Sequence, residues 1–252
     1  MNQKEDKQVL KLEKAYKNLD FLNSQDARTI RILSEYLFPQ AELEKNGIQN
    51  TIVIFGSARA PSPEELEQKE GTNKLAKYYT CTRELTAKLS KWSKELEKDG
   101  PKYVVCSGGG PGIMMAANRG AYDEGVKNAA FSISLPLENV PNPYVTPEVN
   151  FEFHYFFTRK FWFSYLAKAL VVMPGGFGTL DELFEILTLI QTGKIKRKLP
   201  IVLFGNEYWE KLINFEVLLE FGVVDKKDLD LLFLTSNIDE AYEFITSSLT
   251  EK

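Results

Sequence analysis

The chain has 252 residues, 44% hydrophobic and 26% charged, a globular composition and a length that can bury a core without disulfides or metal ions. Its 31 basic and 35 acidic side chains give a net charge of -4, which argues against a nucleic-acid partner, because a phosphate backbone needs a basic surface. The longest apolar runs, such as Ala169 to Met173, fall far short of the roughly 20 residues that cross a bilayer, and Met1 to Asp6 are too polar for a secretory signal, so a cytoplasmic protein with no membrane partner is expected.

Taken in chain order, the first segment, 1–47, reads as a helical extension. Val9, Leu12, Tyr16 and Leu19 recur at helical spacing, and after Asn23-Ser24 a second set, Ile30, Leu33 and Leu37, continues as far as Pro39. From Thr51 short apolar runs alternate with longer amphipathic stretches, the pattern of β-α units, and 48–252 reads as one domain. Strands are expected at Thr51 to Phe55, Tyr103 to Cys106, Ala129 to Ser134, Ala169 to Met173, Ile201 to Phe204 and Leu231 to Thr235. Their near-continuous apolar character fits a parallel sheet with helices on both faces. Helices are expected at Asn73 to Lys98, Gly112 to Glu124, Arg159 to Ala167, Thr179 to Thr192, Tyr208 to Glu220 and Asp239 to Leu249. Ser62 to Thr72 and Pro136 to Pro147 read as loops at strand ends, where such sheets place their ligands.

Little else is set up for metal or thiol chemistry. Cys81 and Cys106 lack metal-ligand spacing and read as buried thiols, and the single histidine, His154, reads as a satisfied, partly buried imidazole in the aromatic run Phe151 to Phe163. Eight of those thirteen residues are aromatic, more than one strand and one helix easily bury, so the run reads either as a subunit contact or as core beneath the N-terminal helices. No metal site and no cofactor are expected.

Two glycine-rich turns follow two of the strands: Ser107-Gly108-Gly109-Gly110-Pro111-Gly112 and Pro174-Gly175-Gly176-Phe177-Gly178-Thr179. Each opens a helix, whose unpaired N–H groups and positive dipole end suit an anion approached closely by glycine backbone. Neither turn continues into Gly-Lys-Ser/Thr, and the spacing departs from G-x-G-x-x-G, so a mononucleotide phosphate fits better than a P-loop or dinucleotide ligand. Thr179-Leu180-Asp181-Glu182 reads as a capping box, with the Glu182 carboxylate also held at the pocket rim and kept ionised by the helix dipole.

Pro174 to Glu182 matches P-G-G-x-G-T-x-x-E, and the segment resembles the Lonely Guy (LOG) family of cytokinin-activating nucleoside 5'-monophosphate phosphoribohydrolases. Arg159-Lys160, fifteen residues upstream, falls where that family carries an Arg-Lys pair, and Gly108 to Gly112 resembles its first glycine loop. The resemblance covers roughly Ile52 to Phe221. It implies a Rossmann-like α/β fold, a homodimer or higher assembly with the site near the subunit contact, and hydrolysis of the N-glycosidic bond of a purine nucleotide such as AMP or an N6-substituted AMP. Carried over, Arg159 and Glu182 form the catalytic pair, and Lys160, Gly175, Gly176, Phe177, Gly178, Thr179 and Thr188 contact substrate, with Gly109, Gly110 and Gly112 in the first phosphate turn. The helices before Thr51 and the aromatic run depart from the short plant-like members and point to the longer bacterial branch.

The chemistry has a reading of its own. Cleavage at a ribosyl C1' passes through an oxocarbenium-like state that a fixed carboxylate stabilises, and a guanidinium serves an anionic nucleotide or a leaving base. A non-catalytic carrier or sensor of a phosphorylated ligand, similar to molybdenum-cofactor carriers, remains the alternative. A pyridoxal-phosphate decarboxylase would place a Schiff-base lysine beside a histidine, and His154 has no lysine neighbour.

Overall fold

The structure, a computed structural model, describes residues 12–67, 73–97, 102–134 and 141–250. Helices α1 (Leu19–Asn23) and α2 (Arg28–Lys45) precede β1 (Thr51–Phe55), α3 (Pro63–Glu67), α4 (Ala76–Leu96), β2 (Val104–Ser107), α5 (Ile113–Asp123) and β3 (Asn128–Ile133). The chain continues through β4 (Asn150–Phe153), α6 (Phe156–Leu166), β5 (Ala167–Val172), α7 (Phe177–Gln191), β6 (Ile201–Phe204), α8 (Asn206–Leu212), α9 (Phe215–Glu220), α10 (Lys226–Leu229), β7 (Leu232–Thr235) and α11 (Ile238–Thr250). The strands form one parallel sheet in the order β4-β3-β2-β1-β5-β6-β7.

That order sets the site. The chain runs outward from β1 through β2, β3 and β4, then returns to the other side of β1 as β5. The loops leaving β1 and β5 therefore diverge, and the crevice beyond their carboxyl ends is where an open α/β sheet takes a ligand. Strand alternation divides β1 between two cores: Val53 and Phe55 pack with Trp162, Phe163, Leu183 and Ile186 of α6 and α7, and Ile52 and Ile54 pack with Tyr79, Leu85, Ile113 and Ile245 of α4, α5 and α11.

Several elements differ from expectation. β4 was not among the expected strands, because at this sheet edge Asn150-Phe151-Glu152-Phe153 alternates exposed and buried over only four residues. The helix expected over Tyr208 to Glu220 is two helices, interrupted where Ile213 and Asn214 become extended. Val9, residues 68–72 of the first expected loop and residues 136–140 of the second lie outside the described residues. Leu12, Tyr16 and Leu19 do not form one helix. They are 97%, 66% and 67% exposed, and a short apolar stripe with no core to cover it does not hold a helix.

The second N-terminal helix, expected to stop at Pro39, runs on to Lys45. Proline deprives the carbonyl four residues earlier, that of Glu35, of its helical N–H. The indole Nε1–H of Trp162 donates to that carbonyl at 3.2 Å, so the helix continues without an orphaned acceptor. Leu43 of α2 is buried in the α6/α7 core, and Tyr36 and Phe38 lie against Phe161, Trp162 and Phe151. Five of the eight aromatic residues of the run, Phe151, Phe153, Tyr155, Trp162 and Phe163, are thus buried, and Phe156, Phe157 and Phe161 face outward. His154 is exposed rather than partly buried, its ring edge-on to Tyr155. Cys106 is buried, which pushes its thiol well up, and Cys81 is half-buried. Among the described residues no helix is long and apolar enough to cross a membrane.

Candidate active site

Three turns, rather than the two expected, meet at the crevice: Gly56-Ser57-Ala58-Arg59 after β1, Gly108 to Pro111 after β2, and Gly175 to Thr179 after β5. Backbone bonds lace them together. Ser57 N–H donates to the Pro174 carbonyl at 3.0 Å, and the Ser57 carbonyl accepts Ile113 N–H at 3.0 Å. Gly112 makes that second contact possible. Its φ is +67°, and a Cβ there would lie 2.4 Å from the Ser57 oxygen. Gly112 consequently joins two turns and does not itself line the cavity.

The cavity between the turns encloses about 900 Å³, with α6 and α7 closing one side. Gly109, Gly110, Gly175, Gly176, Phe177, Gly178 and Thr179 line it, as do Arg159 and Glu182. The first-turn N–H groups of α7 have no acceptor inside the helix and lie at this rim. Gly175 packs hard against the same helix, since a Cβ would sit 2.1 Å from Thr179 Oγ1, and the Tyr208 hydroxyl donates to its carbonyl.

Thr179 and Glu182 do not form a capping box. α7 begins at Phe177 with Gly176 as N-cap and no side-chain cap, which puts Thr179 at the third helical position and Glu182 in the second turn, facing inward. There its carboxyl Oε1 lies 3.2 Å from Arg159 Nη2, with Glu182 4% exposed and the Arg159 guanidinium over the rings of Phe156 and Phe163 at 5.2 and 5.8 Å. Burial pushes the Glu182 pKa up to about 7, against the pull of Arg159 and Lys160. The carboxyl is therefore not held ionised by the helix end, as expected. It is poised near neutrality.

Among the described residues, Arg59, Arg159 and Glu182 are the charged side chains lining the cavity. Arg59, Ser132, Phe156 and Tyr208 were not anticipated, although Gly56-Ser57 directly after a buried strand is a third glycine-containing turn and a readable signal. Lys160 and Thr188 lie elsewhere, along a shallow depression on α7. Lys160 is ion-paired with Asp181 at 2.8 Å and Glu185 at 2.7 Å, and the Thr188 hydroxyl donates to the Phe184 carbonyl. Among the described residues no group of three or more His, Cys, Asp or Glu side chains is placed to hold a metal ion.

A probable cytokinin riboside 5'-monophosphate phosphoribohydrolase of Oryza sativa subsp. japonica is 26% identical over 147 residues, 58% of this chain and 63% of that one. A pyrimidine/purine nucleotide 5'-monophosphate nucleosidase of Escherichia coli (strain K12) is 30% identical over 133 residues, 47% of this chain and 27% of that one. Neither relative is spanned to two thirds of its length. Among solved structures, the molybdenum cofactor carrier protein of Chlamydomonas reinhardtii shares the fold at 16% identity and a TM-score of 0.53, covering 81% of this chain and 99% of that one.

Residues 114–245, more than half of the chain, match the family described as "Possible lysine decarboxylase". Pyridoxal-phosphate decarboxylation needs a lysine to carry the cofactor as a Schiff base, and the residues do not fit it. Among the described residues no lysine lines the cavity, and the Lys160 ammonium is engaged by two carboxylates outside it. On the match, and on relatives that carry the phosphoribohydrolase and nucleosidase names, the chain belongs to this family, the LOG family that the Pro174 to Glu182 motif resembles.

Proposed function

We propose that the chain hydrolyses the N-glycosidic bond of a purine nucleoside 5'-monophosphate, AMP or an N6-substituted AMP, to free base and ribose 5-phosphate. The observation that carries this reading is a buried carboxyl of near-neutral pKa, Glu182, paired with Arg159 on the wall of a cavity ringed by glycine turns. The 5'-phosphate is held by backbone N–H groups at Gly109-Gly110 and Gly176 to Thr179, with Arg59 supplying charge. Glu182 lies three residues beyond Thr179, about 4.5 Å along the helix axis, so the ribose of a nucleotide anchored at the helix end reaches it.

The ionised Glu182 faces C1' and stabilises the positive charge that grows there, then takes a proton from the attacking water. The water oxygen bonds to C1', and the C1'–N bond pair leaves with the base. Arg159 neutralises that developing negative charge, and the departing base takes up a proton from solvent while Glu182 releases to solvent the one it took from the attacking water, so one water is consumed overall. The mostly apolar walls, among them Phe55, Phe156 and Phe163, strengthen these interactions by excluding water.

A carrier reading shares the fold, since the molybdenum cofactor carrier protein has the same architecture. The Glu182–Arg159 pair favours hydrolysis, because a carrier has no need of a buried titratable carboxyl. Incubation with nucleoside monophosphates and the matching nucleosides, with free base followed by chromatography, tests the reading: AMP should be cleaved and adenosine should not. Equal turnover of both would remove the phosphate argument, and turnover of neither would favour the carrier.

We propose further that 48–252 forms the nucleotide domain, that 1–47 is an extension to it, and that the protein acts in the cytoplasm as a homodimer. Phe177, at the cavity rim, is 91% exposed, and Phe156, Phe157, Tyr165 and Phe184 are each at least 40% exposed on α6 and α7. An apolar surface of this kind suits a second copy of the chain, which would bring Lys160 and Thr188 to the edge of the site.

A further inference from the structure

Helix α6 carries Arg159 as its fourth residue but supplies neither of its own end groups. Its N-cap, Tyr155, offers no side-chain bond, its first turn holds no acid, and its last turn holds no base. Both come from distant parts of the chain. The Glu35 carboxylate of α2 accepts the backbone N–H of His154 at 2.7 Å, that of Tyr155 at 3.2 Å, and the Thr158 hydroxyl at 2.5 Å. One turn further along, Trp162 donates to the Glu35 backbone carbonyl that Pro39 leaves unpaired. At the far end the Arg197 guanidinium donates to the Ser164 and Ala167 carbonyls. An anion at the start of a helix and a cation at its end match its dipole.

The clamp at the start bears directly on the site. Tyr155, whose N–H Glu35 holds, gives its carbonyl to Arg159 N–H at 3.3 Å, and Thr158 adjoins Arg159 in the chain. We propose that Glu35 is a positioning residue: by fixing the first turn of α6 from the N-terminal helices, it sets where the Arg159 guanidinium meets the Glu182 carboxyl. The consequence for catalysis rests on the function proposed above. The consequence for geometry does not.

The test compares Glu35→Gln and Glu35→Ala with the wild-type chain in two assays. The first titrates the Glu182 carboxyl of the ligand-free protein by carbon-13 NMR, with the resonance assigned through Glu182→Gln. Arg159 and Lys160 from α6 lower that titration, and Asp181 and Glu185 on α7 raise it. Loosening α6 withdraws the cations, so the midpoint should rise by about half a pH unit or more. The second assay follows nucleotide hydrolysis, where kcat should fall about tenfold or more and KM should change by less than about threefold. A wild-type chain without turnover would sink the proposed function and leave the titration to decide on Glu35. Folded variants in which Glu182 titrates as in the wild type would overturn the positioning role. Glu35→Gln keeps the side-chain length and one acceptor oxygen, so it is the milder perturbation, and if even this variant failed to fold, Glu35 would be a determinant of the whole fold and the proposal would again fail.

Discussion

Replacing Glu182 by glutamine should stabilise the protein, and by an amount that grows with pH. Glutamine has the shape of the protonated carboxyl and can still accept from Arg159, so the comparison isolates the charge. Burial raises the Glu182 pKa from 4.5 to about 7 in the folded chain. Below about pH 4.5 both folded and unfolded chains hold the proton, and the two proteins should be equally stable. As pH rises toward 7 the unfolded chain releases its proton while the folded chain keeps it, so wild-type stability declines relative to the variant. Above about pH 7 the loss is complete, and at about 1.4 kcal/mol per pH unit the gap corresponds to roughly 3 kcal/mol. For a chain of this size that is on the order of 6 to 12 °C in Tm. Thermal unfolding of both proteins at intervals from pH 4.5 to 8.5 reads the difference directly, while turnover of the variant should fall by about 10²-fold. A stability difference that does not change with pH would refute the desolvated carboxyl, and with it the main support for its catalytic role.

Other expectations follow from the same geometry. If ionised Glu182 is the base, kcat/KM should rise with unit slope up to about pH 7 and then level off; a profile that falls through 7 would make it the acid instead. Gly175→Ala should raise KM for the nucleotide by about tenfold and cost roughly 1 to 3 kcal/mol of stability, because the new methyl displaces Thr179 from the helix start; an unchanged KM would remove the α7 turn from the phosphate site. Sedimentation at micromolar concentration should give a dimer, and Phe177→Asp should shift it toward monomer with loss of activity. A monomeric wild-type chain that is fully active would dispose of the interface.

The legible parts of the fold were those written locally. Five of the buried strands and the two glycine turns could be read because a continuous apolar run, or a turn that opens a helix, is encoded within about ten residues. β4 escaped because an edge strand with one face exposed leaves only two buried residues, Phe151 and Phe153, as its signal. The capping box failed for a related reason. Thr-x-x-Glu is a valid helix start only if nothing upstream starts the helix sooner, and Gly176 allows α7 to begin two residues before Thr179. The earlier start moves Glu182 from the third helical position to the sixth, out of the first turn and into the buried surroundings of Arg159, changing a stabilising cap into a group that costs stability.

The partners of α6 were illegible for a different reason, one of distance. Glu35 lies 119 residues before the N–H it receives from His154, and Arg197 lies 30 residues beyond the carbonyl of Ala167. No window along the chain contains both halves of either contact. What the sequence does carry is the vacancy: a helix with aromatic residues where Ser, Asp or Asn would cap it, no charge suited to either end, and an Arg-Lys pair that has to be held in place. Such a helix is stable only if its ends are met from outside. Pro39 has the same character, since a proline within a helix abandons the carbonyl four residues earlier, which here takes its donor from Trp162 of α6. The two vacancies fill each other, one on α2 and one on α6, and it is this exchange that ties the N-terminal helices to the helix bearing Arg159.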